Sequence, residues 1–132
     1  MKHFFTFLFI LLGLCASTSV LAYDFEVDGL LYLKVWGSDT EVEVTCDYRN
    51  PYTMSVINIP SSVVYEGKTY KVTEINRINE GDDNDYIKEI IIPESVTLIK
   101  GAAFSKCTAL TSIVIPDNVT EAHGRIFEVV AA

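Results

Sequence analysis

The apolar positions fall into three regimes along the chain. Phe4 to Leu14 form a run broken only by Thr6 and Gly13. Residues 23–46 then alternate and turn. Phe25 and Val27, the pair Asp28-Gly29, and Leu31 and Leu33 predict a β-hairpin, because Asp-Gly supplies the two left-handed positions of a tight turn. Glu41-Val42-Glu43-Val44-Thr45 predicts a further strand with one apolar face. Val63 to Val72 predict a second hairpin turning at Glu66-Gly67.

From residue 54 onward a longer period takes over. Residues 87–109 and 110–132 align at an offset of 23, matching Ile90 to Ile113, Ile92 to Ile115, Pro93 to Pro116, Val96-Thr97 to Val119-Thr120, Gly101 to Gly124 and Phe104 to Phe127. A divergent earlier copy places Met54, Ile57, Ile59 and Pro60 at the spacing of Ile87, Ile90, Ile92 and Pro93, with the second hairpin as an insertion. Two apolar residues at i and i+2 face one side of a short strand, and the proline then ends it. Val96, Ile99 and Phe104 supply the opposite wall of a flattened coil. Such a unit buries its apolar side chains only against its neighbours, so the pattern predicts a solenoid with short parallel strands on one face. An antiparallel sandwich is the alternative, but it does not explain a period kept through Pro, Gly and Phe.

These residues resemble the BspA-type leucine-rich repeats of exported Bacteroidetes proteins and of some protist surface proteins. The likeness rests on Leu110-Thr111-Ser112-Ile113-Val114-Ile115-Pro116. It rests equally on Pro93-Glu94-Ser95-Val96-Thr97-Leu98-Ile99 followed by Gly101, Ala103-Phe104 and Cys107. It covers roughly residues 54–127, and the stretch before it resembles the family's N-terminal cap. Lys100 and His123 each add a residue before the glycine, Ala122 stands where Ile99 does, and the first copy lacks the Gly-x-x-Ala-Phe segment after Ile75. The resemblance implies a β-rich leucine-rich-repeat solenoid of about three coils with an antiparallel hairpin cap. It implies binding or adhesion at the cell surface and no enzymatic activity. The expected organisation is a signal peptide over 1–22, a β cap over 23–53 and a solenoid over 54–132. The solenoid divides into a divergent repeat (54–86), a repeat (87–109) and an incomplete last repeat (110–132).

The opening run explains part of the mean hydropathy of +0.27. Lys2 precedes the apolar stretch, small residues follow it, and Val20-Leu21-Ala22 ends in a cleavage-site pattern. This is the layout of a secretory signal peptide cut after Ala22; the run is shorter than the ~20 residues a membrane span needs. Leu14 before Cys15 is too large for a lipoprotein site, which ranks lipidation second. The protein is therefore expected to be secreted or held in the cell envelope, with no stable membrane span after cleavage. Of the 132 residues, 10 Lys and Arg face 18 Asp and Glu, a net charge of −8. Without Lys2 that becomes nine against 18, or −9. This balance excludes nucleic acid as a partner, since phosphate contacts need clustered Lys and Arg.

The chemistry available for catalysis or metal binding is sparse. Cys46 and Cys107 remain after processing and could pair; two independent buried thiols are the favoured reading. His123 is then the one histidine left, between Ala122 and Gly124, at a repeat position held elsewhere by Lys100 and so expected to be exposed. No zinc site, cofactor site or nucleophile with a paired base is expected. Glu80-Gly81-Asp82-Asp83-Asn84-Asp85 has hard oxygen ligands but not the calcium-loop pattern, and is read as a solvated insertion.

A candidate partner face comes from the outward positions of the three repeat strands. These are Ser55, Val56 and Asn58, then Lys88, Glu89 and Ile91, then Thr111, Ser112 and Val114, with Asn58, Ile91 and Val114 in one column. A protein or glycan is the expected partner. Trp36, Tyr32 and Tyr48 could stack on sugars, although Trp36 is expected to pack beneath the cap. Asn118-Val119-Thr120 is a glycosylation sequon falling on a repeat position and is read as incidental. The chain closes on Val129-Val130-Ala131-Ala132 with no polar coil after it. That suggests a shortened fragment of a longer adhesin, end-to-end self-association, or a loosely held last coil whose residues 110–132 exchange amide protons fastest.

Overall fold

A computed structural model describes residues 22–124. Residues 1–21 of the signal peptide expected over 1–22, and the positions of Phe127 and Val129 to Ala132, lie outside the described residues. Ten strands and no helix make up the described chain: β1 (Phe25–Val27), β2 (Leu30–Lys34), β3 (Glu41–Thr45), β4 (Val56–Asn58), β5 (Ser62–Tyr65), β6 (Lys68–Ile75), β7 (Glu89–Ile91), β8 (Leu98–Ile99), β9 (Ser112–Val114) and β10 (Glu121–Ala122).

The repeat wound as its spacing predicts. Strands β4, β7 and β9 pair in parallel, with Ile57 opposite Ile90 and Ile90 opposite Ile113. Ile57 and Ile90 are buried and Ile113 is half-buried against the same core. The expectation of strands on one face needs enlarging, however. The segment after each proline also forms a parallel ladder, β6-β8-β10, with Ile75 opposite Ile99 and Ile99 opposite Ala122. Each coil therefore contributes a rung to two sheets, and Ile90, Val96, Ile99 and Phe104 fill the space between them.

The glycine of the repeat serves close approach. A Cβ on Gly101 would lie 3.2 Å from the carbonyl oxygen of Gly124, tighter than ordinary contact, whereas a Cβ on Gly124 would meet nothing within 4 Å. Thr97 and Thr111 join successive coils: the Thr97 N–H donates to the Thr73 carbonyl, and the Thr111 N–H and Oγ1 both donate to the Lys88 carbonyl. The sequon residue Asn118 works the same way, its amide donating 2.7 Å to the Glu94 carbonyl. Polar repeat positions thus tie one coil to the next.

Both predicted hairpins form. Val27 pairs with Leu30 and Tyr65 with Lys68, and the turn residues Asp28, Gly29, Glu66 and Gly67 all have positive φ. The cap strands join the larger sheet directly. β3 pairs with β2 on one side and runs parallel to β6 on the other, so β1-β2-β3 extend the sheet that β6, β8 and β10 continue. The strands β1-β2-β3-β6-β5 curl until β1 meets β5. Phe25 stacks on Tyr65 with centroids 4.4 Å apart and packs near Tyr70 and Tyr32. Aromatic side chains supply large buried area at the place where the sheet closes on itself.

Three local expectations are corrected. Glu41–Thr45 does not have one buried and one wet face: Glu43 is buried as well, because Lys100 and Asn76 cover it. Lys100 is therefore not simply a solvated repeat position. Trp36 does not pack under the cap and is 99% exposed. It sits at the second position of a turn closed by Ser38 N–H donating to the Val35 carbonyl, with Gly37 at φ 80. The turn geometry that suits Gly37 aims the indole away from the sheet.

Candidate functional site

The outer surface of β4-β7-β9 carries the predicted face in register. Val56, Glu89 and Ser112 form one column; Asn58, Ile91 and Val114 form the second. Lys88 and Thr111 lie one residue before their strands and are exposed. Val56 and Ile91 are about two-fifths exposed and Val114 is 78% exposed, while the alternate residues Ile57 and Ile90 are buried. A pleated backbone sends neighbouring side chains to opposite sides, so the isoleucines that hold the core also set the direction of this surface. Beside it lies a groove of about 360 Å³ with Ile91, Val114 and Pro116 as apolar lining and Glu89 and Glu94 as carboxylates.

The remaining candidates separate. Tyr32 is buried and cannot reach a sugar; burial and the nearby Asp28 push its hydroxyl up to about 12. Tyr48 is exposed beside Tyr86, at a cleft of about 100 Å³ formed with the acidic loop. That loop is more than a solvated insertion. Glu80, Asp82, Asp83 and Asp85 face solvent, but Asn79 and Asn84 are buried. Asn84 donates to the Tyr52 carbonyl at 2.8 Å, and its Oδ1 accepts from the Tyr86 and Ile87 N–H groups. Asn79 donates to the carbonyls of Asp82 and Ser105. The two asparagines thus tie the loop to Tyr52 on one side and to Ser105 of the next coil on the other.

His123 is exposed, with its Nε2 3.8 Å from Glu121. Cys46 and Cys107 are both free and buried, and burial raises both thiols, to about 12 and about 11. A thiol held protonated is a poor nucleophile. Among the described residues no group of three or more His, Cys, Asp or Glu is placed to hold a metal ion, and no helix is long and apolar enough to cross a membrane.

The residue that sequence reading missed is Tyr52. Its hydroxyl accepts the Leu31 N–H at 2.8 Å and donates to the Thr45 carbonyl at 2.7 Å. Its side chain joins β2 to the end of β3, and its backbone carbonyl accepts the Asn84 side-chain amide, so one residue ties the cap to the acidic loop. A lone tyrosine after Asn50-Pro51 carries no spacing that would have revealed this.

Comparison with known proteins agrees with the coil geometry. Residues 82–131 match the model described as a BspA type leucine rich repeat region (6 copies). No curated protein matches the chain. Among solved structures, a leucine rich cell surface protein from Faecalibacterium prausnitzii A2-165 is 24% identical with a TM-score of 0.51, over 77% of this chain and 25% of its own. A leucine-rich repeat protein from Bacteroides ovatus ATCC 8483 is 26% identical with a TM-score of 0.42, over 76% of this chain and 32% of its own. The chain spans about a quarter to a third of the length of these two proteins. With its isoleucines stacked rung on rung and its prolines closing each strand, the repeating part of this chain is similar to the BspA-type leucine-rich repeats over residues 82–131.

Proposed function

We propose that this protein is an exported, non-catalytic binding module that presents the outer face of β4-β7-β9 to a protein or glycan at the cell surface. The observation that carries this reading is the exposed pair Ile91 and Val114, adjacent on neighbouring strands, with Glu89 and Glu94 along the same groove. Apolar side chains on a rigid ladder lose little conformational entropy when they are covered, so they favour association more than the same residues on a loop. The carboxylates select a partner segment that offers basic groups beside its apolar ones. The leader pattern at the N-terminus and the cell-surface description of the Faecalibacterium protein support export. The absence of catalysis rests on the repeat family and on the exposed setting of His123.

A pull-down from host-surface and matrix extracts, run beside a glycan array, tests this reading. Ile91→Glu with Val114→Glu should abolish retention of any specific ligand, and Glu89→Lys should alter it. Retention unchanged by all three substitutions sinks the proposal. A second reading, a structural segment of a longer adhesin with no partner of its own, is supported by the 25% of the Faecalibacterium protein that the chain spans. It predicts no specific ligand in either assay.

A further inference from the structure

The two sheets differ on the side of the cap. The sheet containing β6 is extended there by β3, β2 and β1, whereas the other sheet stops at β4, which pairs with β7 alone among the described residues. In that ladder the Ser55 carbonyl accepts from Glu89 N–H, and Ile59 N–H donates to the Ile91 carbonyl. Backbone direction alternates along a parallel strand, so residues 55, 57 and 59 face β7 and the N–H and C=O groups of Val56 and Asn58 face the other way. β4 contains no lysine or proline, the residues that usually blunt an open edge.

A cleft of about 250 Å³ lies along this edge, between β4 and the β1–β2 hairpin. Val27, Leu30, Met54 and Val63 line it with apolar surface. The hairpin turn closes one end: Met54 Cε lies 3.5 Å from where a Cβ on Gly29 would be. Asp28 is the only ionisable side chain in the lining besides the Tyr32 phenol, and the chain as a whole carries a net charge of −8.

We infer that β4 is a strand-addition site: it takes an extended segment of a partner protein, with an apolar side chain entering the cleft and a Lys or Arg beside Asp28. Backbone bonds to Val56 and Asn58 would supply the attachment, and the cleft and carboxylate the selectivity. A second copy of this chain fits worse. Edge-to-edge pairing of two β4 strands about a two-fold axis brings a second anionic cap toward the first, and like charges there oppose contact. The site shares Val56 and Asn58 with the outer face of the sheet but excludes Ile91 and Val114, so each surface can fail without the other.

The test uses ¹⁵N-labelled protein produced from the full-length gene and the capped peptide Thr-Lys-Val-Leu-Val-Lys-Thr, whose Lys, Leu and Lys share one face when extended. Saturable amide shifts should centre on residues 56–58 and on the hairpin turn at Asp28. N-methylating the peptide at alternate residues should weaken binding about tenfold, the effect of losing one or two backbone hydrogen bonds. Asn58→Pro removes the outward N–H and leaves the bonds to β7 intact; it should weaken binding similarly while the Ile57–Ile90 pairing persists in the spectra. Exchanging the peptide's Lys for Glu should weaken binding, and Asp28→Asn should abolish that preference. The proposal is overturned if no peptide binds, if the methylated peptide binds equally, if shifts stay on the outer face of β7 and β9, or if β4 amides broaden with protein concentration alone.

Discussion

Lys100, in the second coil, places its ammonium 2.5 Å from the Glu43 carboxylate on cap strand β3. The approach is off the direction a hydrogen bond requires, since Glu43 Oε2 has no such partner, so the contact is an ion pair without directional bonding. It bridges elements far apart in sequence. A bulge makes it available: Val42 pairs with Val72 but Glu43 with Glu74, which leaves Thr73 out of the ladder and sets two carboxylates side by side near one lysine.

Replacing Lys100 by Met should therefore destabilise the protein by about 2 kcal/mol, because Glu43 stays covered without its counter-charge. The Asn76 amide still donates to Glu43, and Lys100 is partly solvated, which keeps the cost below that of a fully buried pair. Urea denaturation measures it. The double variant with Glu43→Gln should recover most of the loss, and a loss unchanged in the double variant contradicts the pairing.

Glu74 responds to pH with the opposite sign to a salt-bridged acid. Burial and its hydrogen bond to Glu43 raise its carboxyl above the ordinary value of 4.5, and these outweigh the lowering by Lys100. The folded state then binds this proton more tightly than the unfolded chain. Its contribution is fully present below the unfolded value and is lost as pH rises through the folded one. Glu74→Gln should raise the denaturation midpoint at pH 7 and leave it nearly unchanged at pH 4. A lower midpoint at pH 7 counts against this assignment.

Tyr52→Phe keeps the ring and removes the hydroxyl. The Leu31 N–H and the Thr45 carbonyl would both lose their partner in a buried place, a cost of about 2 to 3 kcal/mol. Hydrogen exchange should accelerate first at Leu31. An exchange pattern identical to that of the unsubstituted protein shows that the hydroxyl bridges nothing in solution.

The thiols of Cys46 and Cys107 should resist alkylation at pH 8 in the folded protein and react fully in denaturant. Burial keeps both groups protonated, at about 12 and about 11. Mass spectrometry of the alkylated peptides distinguishes this from a disulfide. Recovery of a Cys46–Cys107 linked peptide from unreduced protein would falsify the reading of two separate thiols.

The repeat was readable because its cause is local and recurrent. Every coil must place an isoleucine where its neighbours place one, so Ile57, Ile90 and Ile113 announce their own alignment. The hairpins were readable because Asp28-Gly29 and Glu66-Gly67 meet a backbone requirement within two residues. From the same alternation the outward columns of the candidate face followed, since a side chain beside a buried isoleucine has only one other side to occupy.

What the tertiary structure decided are the contacts between segments that share no period. Neither the parallel join of β3 to β6, the hub at Tyr52 nor the ion pair of Lys100 with Glu43 has a spacing to betray it. Trp36 failed for a related reason: its burial depended on whether its turn faced the core, which a hydrophobic residue does not determine by itself. Periodic burial is written into the order of residues because each coil repeats the same demand. Single polar and aromatic contacts arise only once the coils and the cap have closed on each other.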